Sequence, residues 1–203
     1  KELAQQTATA TSEIGERIIG DLAASGIDTA GMRCVAGARS AVSTILIDDR
    51  GERLIVPFYD ARLHDTVRPV AARDVSSFDA VLVDVRWPKL ALRALSAAQE
   101  AGKPAILDGD VAGDGVIEML APAASHIVFS QPAAERLVGT AELLKVVGVL
   151  KRKFEHAFIS VTAGENGCFW FDDRTGEVCH LAAPKVRAVD TLAAGDIFHG
   201  AFV

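Results

Sequence analysis

The stretch Val189-Asp190-Thr191-Leu192-Ala193-Ala194-Gly195-Asp196, continued by Ile197, Phe198 and Ala201, reads as a tight turn of small residues opening into a helix that begins near Ala194. Backbone N–H groups at a helix start have no intrahelical acceptor and lie at the positive end of the macrodipole, so phosphate oxygens bind well there. Ala193, Ala194 and Gly195 are small enough to let an anion reach the backbone, and Asp196 sets a carboxylate one residue further on. A carboxylate repels bound phosphate and adds nothing to binding alone. It suits a base that takes the proton of an attacking hydroxyl, and the combination points to phosphoryl transfer.

Upstream of that turn, apolar runs alternate with amphipathic segments in the manner of a parallel α/β sheet. Ser12 is placed to cap a helix carrying Ile14, Ile18 and Leu22 on one face, with Gly26 closing it. Strands at 42–48 and 53–58 flank Asp49-Arg50-Gly51-Glu52, which reads as a hairpin turn. Further strands are expected at 80–84, 104–107, 126–129 and 157–161, with helices at about 89–101, 113–121 and 132–150, the last broken near Gly139. Ligands on open sheets bind beyond the C-terminal strand ends. Asp84 to Trp87, Asp108 to Asp110, Ser130 to Gln131 and Thr162 to Gly164 all fall at such ends.

Half of the 203 residues are hydrophobic and 24% are charged, enough for a sizeable core in one domain or one domain with a small appendage. A net charge of −6 argues against a nucleic-acid partner, which calls for a basic face. No apolar run approaches a membrane span, and the first residues lack the layout of a secretion signal. Cys34, Cys168 and Cys179 are odd in number and form no C-x-x-C pair, which fits reduced thiols in a cytoplasmic protein. The histidines at 64, 126, 156, 180 and 199 show no metal spacing and read mostly as surface or packing residues.

Residues Asp190 to Asp196 resemble the Asp-Thr-x-Gly-Ala-Gly-Asp signature of the ribokinase-like (PfkB) carbohydrate kinases, with Ala193 where that family usually has glycine. The resemblance implies a ribokinase-like three-layer α/β sandwich with a mostly parallel central sheet. A small β lid is drawn partly from residues 40–60, through which a homodimer would form. It also implies an ATP-dependent sugar kinase in which Asp196 is the base and the amides of Ala193, Ala194 and Gly195 form an anion hole, with Mg²⁺ and a monovalent cation such as K⁺ as cofactors. Val161-Thr162-Ala163-Gly164-Glu165-Asn166-Gly167 resembles the family's nucleotide-flanking turn, which assigns Thr162, Gly164 and Gly167 to ATP; an ordinary β-turn is the other reading. Where the family places Asn-x-x-Glu for phosphate and magnesium-bound water, this chain has Gln131 and, one residue late, Glu135. Glu135 is equally readable as a favourable charge near a helix start. Asp190 matches the monovalent-cation ligand, or is a loop aspartate bonded to nearby amides.

Within the family the segments Val81 to Trp87, Leu107 to Asp110, Phe129-Ser130 and Asp196 to Ala201 are most similar to the sulfofructose kinases. That likeness assigns Arg86 to a sulfonate, for which a planar guanidinium is apt; the alternative is a structural ion pair with Asp84 or Asp108. Pro57 or Phe58 stands where those enzymes carry a second sulfonate-holding asparagine. Asp108 and Asp110 are a carboxylate pair that orients a sugar hydroxyl or magnesium, or else caps a loop. Trp87 is placed to stack on a sugar ring, whereas Trp170, in a strand, reads as core. The expected reaction is transfer of the ATP γ-phosphoryl group to a primary hydroxyl of a ketose or related sugar, 6-deoxy-6-sulfofructose among them. The alternatives are a nucleoside kinase and a sugar-sensing module without turnover. The family opens with a strand and a Gly-Gly segment and closes with helices that complete the adenine pocket, so residues 1–203 are expected to be one ribokinase-like domain within a longer native protein.

Overall fold

A computed structural model describes the backbone of residues 2–47, 53–64, 69–187 and 191–203, with side chains from residue 13 onward except that of Arg53. The chain separates into two compact units, Lys1–Val67 and Arg68–Val203.

The first unit holds helix α1 (Glu2–Ala24) and the antiparallel strands β1 (Val42–Ile47) and β2 (Arg53–Phe58). Ser12 falls inside α1 rather than at its start, because the residues from Glu2 to Thr11 include neither Gly nor Pro to stop the helix. Gly26 does close it: its φ is +81°, and the amides of Gly26 and Ile27 donate to the carbonyls of Ala23 and Leu22. The strand pairing sets Val42 opposite Phe58 and Ile45 opposite Ile55. Pro57, opposite Ser43, is compatible with a two-stranded ribbon because each strand has a free edge where a missing N–H costs no ladder bond. The turn residues 49–51 expected between the strands, and Glu52 with them, lie outside the described residues.

The second unit opens with α2 (Ala72–Val75). It then runs β3 (Val81–Val83), α3 (Pro88–Glu100), β4 (Ala105–Gly109), α4 (Val116–Leu120), β5 (His126–Ser130), α5 (Gln131–Val138), α6 (Leu143–Lys153) and β6 (Phe158–Thr162). The hairpin β7 (Cys168–Asp172) and β8 (Glu177–Leu181) follows, and α7 (Ala194–Phe202) ends it. The six strands β3 to β8 form one sheet in sequence order, the first four parallel and the last two antiparallel. A monotonic order with right-handed crossovers sends successive connections over the same face.

Side-chain alternation divides the two faces of the sheet. Leu107, Ile127, Phe129, Ile159 and Val161 share one buried cluster with Leu95, Leu120, Val147 and Leu150 from the crossover helices. Each such burial contributes about 1.5–3 kcal/mol. The intervening residues Asp108, His126, Phe158 and Ser160 take the opposite face, and α7 lies there: the Phe202 ring stacks on Phe158 at 5.8 Å and meets His126 edge-on at 6.1 Å.

The break foreseen at Gly139 is real, its φ of +80° ending α5. The helix expected from 113 starts only at Val116, because Gly115 enters it from the left-handed region at φ +78°. Trp170 is half-buried on β7 rather than core.

Candidate active site

The C-terminal strand ends bring most of the sequence candidates together. Past β3, the Asp84 carboxylate accepts from the Arg86 amide at 3.0 Å, turning the chain so that the Arg86 side chain reaches across to β4. There its guanidinium donates to Asp110 Oδ2 at 2.5 Å and to the Val111 carbonyl at 3.0 Å. The other Asp110 oxygen accepts from Ser130 Oγ at 2.9 Å. Arg86, Asp110 and Ser130 thus stitch the ends of β3, β4 and β5 into one polar chain. Arg86 forms an ion pair, with Asp110 as the partner in place of Asp84 or Asp108.

Asp108 sits on the sheet face covered by α7, with Gly109 between it and Asp110. A Cβ on Gly109 would lie 2.8 Å from the Phe129 ring, so the core aromatic dictates the residue that separates the two carboxylates. Burial raises the Asp108 pKa above the ordinary carboxylate range. The His199 imidazole opposes that shift, and the carboxylates of Asp110, Asp84 and Asp196 reinforce it. The His199 ring, 2.7 Å from the Gly195 carbonyl oxygen and 3.4 Å from Asp108 Oδ1, brings the first turn of α7 beside the end of β4.

Helix α7 is entered through Ala193 at φ +57°, ψ +13°, the one non-glycine residue with positive φ among those described. The turn needs a left-handed residue there, and an L-side chain in that region costs about 1–2 kcal/mol. Asp196 occupies the first turn of α7 and is exposed, as are Ala193, Ala194 and Gly195. The Ala194 amide donates to the Thr191 carbonyl at 3.3 Å, a long turn bond.

At the ends of β5 and β6 the nucleotide candidates separate into two groups. Gln131 Nε2 donates to Glu135 Oε1 at 2.7 Å, so the two residues assigned from the shifted motif hold each other. Thr162 Oγ1 donates to the Phe129 carbonyl at 3.3 Å. Gly164 and Gly167 both have positive φ, at +52° and +86°, but for different reasons. A Cβ on Gly164 meets open space, whereas one on Gly167 would sit 2.0 Å from the Leu181 carbonyl oxygen at the end of β8. Gly167 is held first by chain packing. Asp190 lies outside the described residues.

The family model for the pfkB family carbohydrate kinases matches residues 7–203. The chain belongs to the pfkB carbohydrate kinase family. A crystal structure of a protein from Agrobacterium tumefaciens, provisionally named a ribokinase, is 58% identical with a TM-score of 0.87 over 93% of this chain and 61% of that one. Arabidopsis thaliana ribokinase complexed with ribose and ATP is 20% identical, with a TM-score of 0.70 over 87% of this chain and 59% of that one. A Burkholderia thailandensis nucleoside kinase in complex with inosine is 17% identical, with a TM-score of 0.70 over 91% and 59%. At those two identities the likeness is one of fold. The chain spans about three fifths of the length of the relatives it matches.

One residue beside these candidates was not singled out from the sequence. His199, taken as packing or surface, is buried and lies between Gly195 and Asp108. Its spacing of four from Gly195 on a helix was the available signal, since residues four apart share a helix face. No helix among the described residues is long and apolar enough to cross a membrane, and none of their His, Cys, Asp and Glu side chains cluster in threes fit for a metal ion.

Proposed function

We propose that the protein is an ATP-dependent sugar kinase whose base is Asp196. The observation that supports this is the convergence of α7 and β4: His199 joins the Gly195 carbonyl, one residue before Asp196 on the first turn of α7, to the Asp108 carboxylate. Asp108 and Asp110 accept hydrogen bonds from sugar hydroxyls. Asp196 takes the proton of a primary hydroxyl, whose oxygen bonds to the γ-phosphorus as the bond to the β-phosphate oxygen breaks and ADP leaves. The amides of Ala193 and Gly195 face the charge on the transferred group, joined by that of Ala194 as it gives up its long bond to the Thr191 carbonyl, and Thr162, Gly164, Gly167 and Gln131 flank the nucleotide.

Mg²⁺ is commonly bound through one or two carboxylates plus substrate phosphates, and it neutralises phosphate charge. Glu135, oriented by Gln131, fits the part of that single carboxylate. Asp190 is the residue proposed for a monovalent cation.

The local charge favours a neutral acceptor over a sulfosugar. Asp84, Asp108, Asp110 and Asp196 outnumber Arg86, whose guanidinium is engaged by Asp110. Exposed Leu46, Ile47, Leu54, Ile55 and Val56 on the β1–β2 ribbon support a homodimer through that hairpin.

A coupled ADP-release assay over ribose, fructose, 6-deoxy-6-sulfofructose and inosine tests the reading. Turnover with a neutral sugar is expected, and Asp196→Asn should reduce it by about 10²–10⁴-fold with little change in nucleotide affinity. Absence of sugar-dependent ADP release, or near-normal turnover in Asp196→Asn, would overturn it.

A further inference from the structure

The His199 imidazole is 5% exposed and presents its two nitrogens to two different parts of the site. Nδ1 lies 2.7 Å from the Gly195 carbonyl oxygen, an acceptor only, so Nδ1 carries a proton and donates it. Nε2 is buried and lies 3.4 Å from Asp108 Oδ1, within ion-pair range though longer than a well-formed hydrogen bond. A lone pair on Nε2 facing an ionised carboxylate would leave two acceptors opposed away from water, so one proton belongs between them. The ring has little freedom: Phe198 meets it edge-on at 6.0 Å, and Phe202, one turn on, is stacked against Phe158 of β6.

We infer that His199 is a positioning residue that bridges the Gly195 carbonyl to the Asp108 carboxylate, and so sets the first turn of α7 at a fixed distance from the hydroxyl-binding end of β4. The inference rests on the sugar-kinase reading and deepens it. Gly195 precedes the base in the chain, and Asp108 is a carboxylate that holds the acceptor. The distance between the two decides whether the acceptor hydroxyl or water occupies the place beside Asp196. Loss of the bridge therefore acts on sugar affinity and on coupling, while Thr162, Gly164, Gly167 and Gln131, which flank the nucleotide, are left alone.

The two arms can be cut separately in the full chain. His199→Asn keeps a donor near the Nδ1 position and loses the arm to Asp108; His199→Gln reaches the Nε2 position and keeps that arm; His199→Phe loses both. Expected for Phe and Asn is a rise of about tenfold or more in KM for the sugar, the loss of a hydrogen bond to a charged group. The ratio of ADP formed to sugar phosphate formed should also rise, with KM for ATP unchanged, and Gln should recover most of both effects. Equal behaviour of all three variants, or loss of thermal stability with sugar KM and coupling intact, would reduce His199 to a packing residue. Nitrogen-15 NMR of the His199 ring reads the bridge without any substrate. The Nε2 resonance should shift on Asp108→Asn while Nδ1 stays protonated, and an unmoved Nε2 would overturn the bridge even if the protein proves to be a kinase. A shifted Nε2 in a protein that phosphorylates no sugar would leave the bridge standing and remove the sugar-kinase reading.

Discussion

Replacing Ala193 by glycine tests the geometry on which the anion hole depends. The turn before α7 holds Ala193 at φ +57°, where the Cβ of an L-residue costs about 1–2 kcal/mol. Glycine removes that cost but returns about 0.4–1 kcal/mol of freedom to the unfolded chain. The difference is a gain of roughly 0.5–1 kcal/mol, and at 2–4 °C per kcal/mol for a chain of this size Tm should rise by roughly 1–4 °C. Catalysis should change by less than about threefold, because glycine adopts the same left-handed turn and the amides keep their direction. Differential scanning calorimetry and steady-state kinetics on the full chain measure both. If the residue were extended or right-handed, as the presence of alanine by itself would lead one to expect, the same substitution would destabilise by about 0.5–1 kcal/mol. A lowered Tm would thus refute the left-handed assignment. A more than tenfold rise in kcat would instead mean that the alanine weakens the site.

Gly167→Ala should destabilise by about 3 kcal/mol or more in chemical denaturation, since its Cβ meets backbone at the end of β8, whereas Gly164→Ala should cost only about 1–2 kcal/mol for its positive φ. Equal losses would show that the close approach to Leu181 is not made. Burial lowers the His126 pKa below its ordinary value near 6.5, so the unfolded chain binds the proton more readily; the stabilisation is complete above pH 6.5 and is lost as pH falls. His126→Phe should flatten that part of a Tm-against-pH curve, and an unchanged slope would assign it elsewhere. Arg86→Ala should raise KM for neutral and anionic sugars alike, because it releases Asp110, and cost less than about 1 kcal/mol of stability as a half-exposed pair. A loss confined to the sulfosugar would restore Arg86 as an anion reader.

Alternating apolar runs and punctuation by glycine determined the parallel strands β3 to β6, the crossover helices and the break at Gly139, because those signals act over a few residues and nothing distant overrides them. The run Ala193 to Asp196 likewise announced a helix start with a carboxylate in its first turn. Other features depended on where remote segments meet. Ala193 is left-handed because the chain must turn there to lay α7 against the sheet, a demand its own side chain opposes. Gly167 is glycine on account of Leu181, fourteen residues away, and Gly109 on account of the Phe129 ring. Arg86 could be placed at a strand end from sequence, but its partner Asp110 became apparent only when β3 and β4 stood side by side. His199 lies within the Asp196 to Ala201 likeness, but nothing in the sequence singled it out. Its role comes from one face of α7 meeting one face of β4, and a chain read residue by residue contains no term for that distance.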